Sequence, residues 1–326
     1  MRIPSVRALR AQLMGGLAEG FFEGLSRVGR LHPRSDPEAH GIEVIRDVAY
    51  TSTGHLDQRL DIYRRRDLQG PRPVVLYIHG GGFHMLSKET HWIMALIFAR
   101  AGYVVFNMSY RLAPTHRYPA ALEDACDAYV WMVEHAAKYG ADLSRVVVAG
   151  ESAGANLSAA LAVTTCYARP EPFARRVFAT GVVPRAMVLG CGILQVSDPE
   201  RLWRRREMPR WLRGAVLNVC RGYVGRQSDA ELADPLLILE QGTPPLRPLP
   251  ACFAFVGTRD PLLDDTRRLG PALTRLGVEY ALRYYPGELH AFHALVFREP
   301  ARRCWRDKLT FLHEVLGTSA PLSRTG

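Results

Sequence analysis

The residues best placed to do chemistry lie in two short stretches, each following an apolar run. In the first, Gly150-Glu151-Ser152-Ala153-Gly154 follows Val146-Val147-Val148-Ala149 and opens into the alanine-rich segment Ala155 to Ala162. A serine at such a strand-to-helix turn is held in a strained backbone with its hydroxyl exposed, and the flanking glycines let neighbouring backbone pass close by. Ser152 is therefore the candidate nucleophile. In the second, His79-Gly80-Gly81-Gly82-Phe83 follows Val74-Val75-Leu76-Tyr77-Ile78. Consecutive glycines can turn backbone NH groups toward one point, and those of Gly81 and Gly82 with that of Ala153 would hold the oxyanion of a tetrahedral intermediate. Together these parts describe acyl transfer.

Such a site also needs a base and a group to orient it. Asp260 follows the strand-like Cys252-Phe253-Ala254-Phe255-Val256, and His290 follows Tyr280-Ala281-Leu282-Arg283-Tyr284-Tyr285. Both fall just past a predicted strand, where an open parallel sheet places its functional groups. Their rivals are nearby in sequence. His293 is expected inside the following helix, and Asp264 and Asp265 in the first turn of another, where acids suit the positive dipole end. His79 reads as a brace for the glycine loop. Phe83, Met85, Leu86 and Trp92 follow that loop and are candidate pocket-lining side chains, with a core role the competing reading.

The order Ser152, Asp260, His290 is the order found in α/β-hydrolases. Six blocks in register carry a fuller resemblance: His79 to Phe83, Tyr110-Arg111-Leu112-Ala113-Pro114, Tyr118-Pro119-Ala120-Ala121 leading to Asp124, Gly150 to Gly154, Asp260-Pro261-Leu262 and His290-Ala291-Phe292. On these the chain resembles the hormone-sensitive lipase-like family of α/β-hydrolases, which includes many bacterial carboxylesterases and resembles arylacetamide deacetylase. Glu151 departs from the Asp of many relatives but keeps the carboxylate. The resemblance implies an α/β-hydrolase fold with a helical cap over the active-site mouth, and a serine carboxylesterase acting on short- to medium-chain esters. An amide hydrolase or acyltransferase would share the same triad. A small-molecule-binding protein on this scaffold would lose a catalytic residue, whereas Ser152, Asp260 and His290 are all present.

The elements that must position these groups are also legible. Strands are predicted near residues 43–50, 59–64, 73–78, 103–108, 145–149, 185–190, 251–256 and 280–285, alternating with helices. That alternation indicates a mostly parallel eight-stranded sheet in one α/β domain, with the first hairpin antiparallel. Val6, Leu9, Leu13, Leu17, Phe21, Leu25 and Val28 recur at helical spacing. The cap is expected from about residues 1–42 and 195–242, the latter lacking period-2 strands. Charges at Arg2, Arg7, Arg10, Glu19 and Glu23 interrupt any signal-peptide core, so a cytoplasmic location is expected.

With 326 residues and 48% hydrophobic content, the chain can bury a large core. Its six cysteines are scattered, with no C-x-x-C pair, and read as reduced core residues. No metal and no cofactor are implied. The net charge of +10 is nearly all arginine, since Lys88, Lys138 and Lys308 are the only lysines, and no nucleic-acid motif accompanies it. The dense cluster from Arg201 to Arg206, continuing through Arg210, Trp211 and Arg213, reads as a solvated helical face, with contact to a membrane surface through the cap as the alternative. The resemblance also implies a possible homodimer through residues 280–285 and 301–316.

Overall fold

The computed structural model describes Gly20, Gly24 and residues 26–204, 207–225 and 230–318. Eight strands among them form one sheet in the order β1-β2-β4-β3-β5-β6-β7-β8. They are β1 (Ile42–Ala49), β2 (Arg59–Arg65), β3 (Arg72–Ile78), β4 (Val104–Met108), β5 (Ala141–Glu151), β6 (Ala186–Gly190), β7 (Ala251–Gly257) and β8 (Tyr280–Tyr285). β2 runs antiparallel to β1 and β4, and every other pairing is parallel. The sheet is thus the mostly parallel one expected from sequence. β5 starts earlier than predicted because Ala141 and Asp142 pair with Arg72 and Pro73 ahead of a register shift.

The central strands are near-continuous apolar runs because both of their faces are covered. Alternate side chains go to opposite layers. Val74, Leu76 and Val148 join a core on the side of helices α2 (Ala120–His135) and α3 (Ala153–Cys166). Val75, Val147 and Phe253 join the other, against α1 (Trp92–Arg100) and α9 (Glu299–Leu316). Every residue of α3 is buried, so this helix carries no polar face. Each Val or Leu so buried contributes about 1.5–3 kcal/mol, which fixes the strand ends that carry the candidate site.

Four more helices complete the cover: α4 (Pro172–Ala179), α6 (Arg210–Val224), α7 (Pro235–Gln241) and α8 (Leu263–Arg275), with a single turn, α5, at Arg201–Arg204. The described part of residues 195–242 holds helices and no strand. Of the expected N-terminal helix, Val6, Leu9, Leu13, Leu17, Phe21 and Leu25 lie outside the described residues. Residues 26–30 are helical and dock on α1. There Ser26 accepts from the Trp92 indole at 3.0 Å, and Arg30 pairs with Glu89 at 2.8 Å. Trp92, considered above for the pocket, is buried in this contact.

The arginine cluster divides in a way its sequence does not show. Arg201 is a structural cation, paired at 2.6 Å with the fully buried carboxylate of Asp265. Arg204 pairs with Asp198, and Arg213 donates to the Met208 carbonyl while standing over the Trp203 ring. Trp211 is 74% exposed. Arg205 and Arg206 lie outside the described residues. All six cysteines are free and buried. No described helix is long and apolar enough to cross a membrane.

Candidate active site

β5 ends at Glu151 and α3 begins at Ala153, leaving Ser152 alone at the turn with φ 54° and ψ −116°. Few non-glycine residues adopt this conformation. The turn is tight enough to demand its glycines: a Cβ on Gly154 would stand 2.0 Å from the Ile78 carbonyl oxygen, and one on Gly150 would stand 2.5 Å from the Gly154 carbonyl carbon. Ser152 NH donates to the Gly190 carbonyl at 2.8 Å, anchoring the turn to the end of β6.

Asp260 lies just past β7 and His290 just past β8, and the structure brings them together. Asp260 is fully buried; one carboxylate oxygen accepts from Leu262 NH at 2.8 Å, and the other faces His290 Nδ1 at 2.9 Å. The His290 side chain remains 37% exposed. Partial burial opposes a charge on this ring, but the Asp260 carboxylate reverses that and holds the imidazolium well above its ordinary value of 6.5. Ser152 Oγ makes no hydrogen bond to a described residue. In sites without substrate this contact is commonly long and tightens on binding.

The rivals stand elsewhere. His293 is buried in a short 3-10 turn (Phe292–Ala294) with Nδ1 lacking a hydrogen-bond partner; burial, with Lys308 nearby, pushes it down to about 3. Asp264 pairs with Arg267 on the surface of α8. Asp265, in the first turn of α8 as expected, accepts from the NH groups of Leu194 and Gln195 in addition to binding Arg201. It organises the chain leaving β6. His79 is fully buried with its ring stacked on Tyr110 at 4.2 Å, and burial pushes it down to about 3. Asp124 accepts from Arg111 NH at 2.8 Å and from Gln58 at 2.6 Å, which ties the blocks around Arg111 and Asp124 together.

The glycine loop adopts positive φ at Gly81 (115°), Gly82 (61°) and Phe83 (66°). The NH groups of Gly81, Gly82 and Ala153 make no hydrogen bond to a described residue, so all are available to an oxyanion. Below the loop, Glu151 is its anchor. This buried carboxylate accepts from Gly80 NH at 2.5 Å, from the Tyr77 hydroxyl, and from His91 Nε2 at 2.8 Å. Burial alone would raise the Glu151 pKa, but His91 and Tyr77 hold it well below the carboxylate range. Burial likewise opposes a charge on His91, and Glu151 overturns that and raises it.

Above the loop, α6 is fitted to it. The Phe83 ring lies flat on Tyr223, with centroids 3.7 Å apart. Val219 Cγ2 would stand 2.9 Å from a Cβ on Gly82, and the His84 ring 2.3 Å from one on Gly222. His84 Nε2 is 3.1 Å from the Val219 carbonyl oxygen. Phe83, expected among the pocket-lining residues, is thus a fully buried anchor for the loop; Met85 and Leu86 remain half-buried.

A stability prediction follows from the anchor. Glu151→Gln leaves His91 unpaired and is expected to cost about 3–5 kcal/mol in urea unfolding near pH 6. The Glu151 contribution is present above its unfolded value of 4.5 and is lost only as pH falls through its depressed folded value. The His91 contribution is full below its unfolded value of 6.5 and is lost as pH rises through its raised folded value. The gap between wild type and variant should therefore narrow in alkaline buffer. A gap that widens there would refute the ion pair.

A family model described as the alpha/beta hydrolase fold matches residues 75–294. The chain belongs to this α/β-hydrolase family. It is 35% identical to the esterase LipI of Mycobacterium tuberculosis over 70% of this chain and 66% of that protein. It is 32% identical to the carboxylesterase NlhH of the same species, over 70% of this chain and 69% of the relative. The crystal structure of esterase LipW from Mycobacterium marinum superposes with a TM-score of 0.72 at 25% identity, covering 92% of this chain and 90% of that one.

Sequence reasoning missed the His91–Glu151–Tyr77 cluster and the place of Cys191, whose thiol lies beside Asp260 and His290. For the first there was a signal: a carboxylate directly before the nucleophile, at the end of a buried strand, must have a partner. For the second there was none.

Proposed function

We propose that this α/β-hydrolase is a carboxylesterase, hydrolysing short- to medium-chain carboxylic esters through an acyl-enzyme on Ser152. The observation that carries the mechanism is the His290–Asp260 pair at 2.9 Å, at the same end of the sheet as the strained Ser152 turn. The ester-hydrolase reading is supported by relatives named esterase and carboxylesterase at 35% and 32% identity.

In this mechanism the ester carbonyl settles against the NH groups of Gly81, Gly82 and Ala153. His290 takes the Ser152 proton as the hydroxyl attacks, while Asp260 fixes the imidazole tautomer and stabilises the imidazolium. The imidazolium then protonates the departing alcohol. Water activated by His290 releases the acid and restores the serine. Loss of one oxyanion donor typically costs about 2.7–4 kcal/mol, so the supports of the glycine loop matter as much as the loop itself.

Residues 195–242 form the cap in this reading, with Met85 and Leu86 at the pocket and Trp211 and Arg210 as its outer surface toward any anionic membrane. β8 is an edge strand with Tyr280 and Tyr284 exposed, and with α9 it is the proposed homodimer face in a cytoplasmic enzyme.

The test is turnover of p-nitrophenyl esters from acetate to palmitate, set beside a p-nitroanilide and an alcohol acceptor, with a fluorophosphonate probe. Hydrolysis highest on the short and medium esters, with one labelled serine, is the expected result. Faster anilide cleavage or acyl transfer would favour the amidase or acyltransferase sharing this triad. Silence toward all substrates, without labelling, would leave a small-molecule-binding protein on this fold.

A further inference from the structure

Cys191 directly follows β6, and its conformation is constrained. Its φ is 35°, its NH donates to the Phe255 carbonyl at 2.7 Å, and the residue is fully buried. This places the thiol against the pair already described. The sulfur, a carboxylate oxygen of Asp260 and a ring nitrogen of His290 lie within 4.8 Å of one another. We propose that these side chains form an inhibitory site for a thiophilic divalent cation such as zinc.

Thiolate, imidazole and carboxylate together are a donor set that suits Zn²⁺, and cobalt takes the same geometry as a reporter. Bonds of about 2.3 Å to sulfur and about 2.0–2.2 Å to nitrogen and oxygen require the donors to draw in by roughly an ångström. His290 is the donor free to do so, since it stands on the exposed turn after β8 and is open to solvent on one side. That open side leaves a fourth position for water.

A second acidic cluster shows why this one differs. Asp47, Asp61 and Glu89 also converge, but the Lys88 ammonium already stands among them at 2.9, 2.9 and 2.6 Å. Among the described residues, Asp260 has no lysine or arginine partner; its carboxylate meets His290 at one oxygen and accepts from Leu262 NH at the other.

Inhibition follows from either mode of imidazole binding. A metal on Nδ1 displaces the ring proton to Nε2, where the lone pair that would accept the Ser152 proton is lost. A metal on Nε2 takes that lone pair itself. In both modes the Cys191 thiol releases its proton to water, and where His290 is an imidazolium its extra proton leaves as well.

The effect on hydrolysis rests on the proposed base role of His290, whereas binding does not. The full-length protein, in thiol-free buffer, is titrated with Co²⁺ while the thiolate-to-cobalt charge-transfer band is recorded, and ester hydrolysis is measured against Zn²⁺. Wild type should show one equivalent of the band and should be inhibited by zinc. Cys191→Ala and the closer-fitting Cys191→Ser should both lose the band and require at least tenfold more zinc for half-inhibition, each relative to its own metal-free rate. Cys220→Ala, altering a buried cysteine on α6, should behave as wild type. Absence of the band in wild type, or zinc sensitivity unchanged in both Cys191 variants, overturns the site. A band without inhibition overturns its inhibitory role. Should wild type hydrolyse no ester at all, the proposed function fails while the cobalt spectrum still decides the metal site.

Discussion

Ser152→Ala is expected to lower kcat/KM for p-nitrophenyl butyrate by roughly 10⁴-fold or more, about 5.5 kcal/mol of transition-state stabilisation, while the protein stays folded. The serine hydroxyl makes no hydrogen bond to a described residue, and alanine carries the same Cβ through the same strained turn, so the unfolding midpoint should hardly move. Labelling by a fluorophosphonate should vanish with the rate. A residual rate still roughly 10³–10⁴-fold above that of water, supplied by the oxyanion loop and substrate binding, would fit the mechanism. Retention of more than about a tenth of wild-type activity would remove the serine from it.

The second large effect separates two histidines that stand one turn apart in sequence. His290→Gln should cost roughly 10⁴-fold, because glutamine cannot take a proton from Ser152. His293→Gln should keep most activity, since His293 Nδ1 has no hydrogen-bond partner and burial holds the ring neutral. The pH profile provides a further check. As the proposed base, His290 would act unprotonated, and Asp260 holds its protonated form above 6.5, so the acid limb of kcat/KM should lie on the alkaline side of that value. Asp260→Asn removes the charge, so the limb should move down while the rate drops. A limb unmoved by Asp260→Asn, or a fall in rate confined to His293→Gln, would transfer the base role away from His290.

Local patterns made the strand ends legible, and with them the neighbourhood of every candidate group. Apolar runs bounded by glycine located β3, β5 and β7, and the glycine loop, Ser152 and Asp260 follow them at once or after a short turn. Partners supplied from distant sequence were not legible. Nothing around His91 marks it as the counter-charge of Glu151, because it stands at the start of an apolar helix that the sheet brings alongside. Phe83 looked suited to a pocket because it follows the loop, yet Tyr223 on α6 claims its ring. Arg201 read as one charge in a solvated cluster until the fold set it against buried Asp265. Each miss is a long-range pairing, and neither periodicity nor turn chemistry encodes these.

The close fit between α6 and the glycine loop restricts how this enzyme could be re-engineered. Val219 and Gly222 touch Gly82 and His84 so tightly that neither glycine could accept a methyl group without displacing its neighbour. Exchanging residues 195–242 for the corresponding stretch of another hydrolase would therefore disturb the NH groups proposed to hold the oxyanion, along with the proposed cap. A graft would carry over turnover only if it brought a helix with a hydrogen at the position facing His84 and a flat ring for Phe83. With the proposed cap and oxyanion loop so joined, selectivity and rate would not be separable modules, and recombining one without the other is expected to yield a well-folded but slow catalyst.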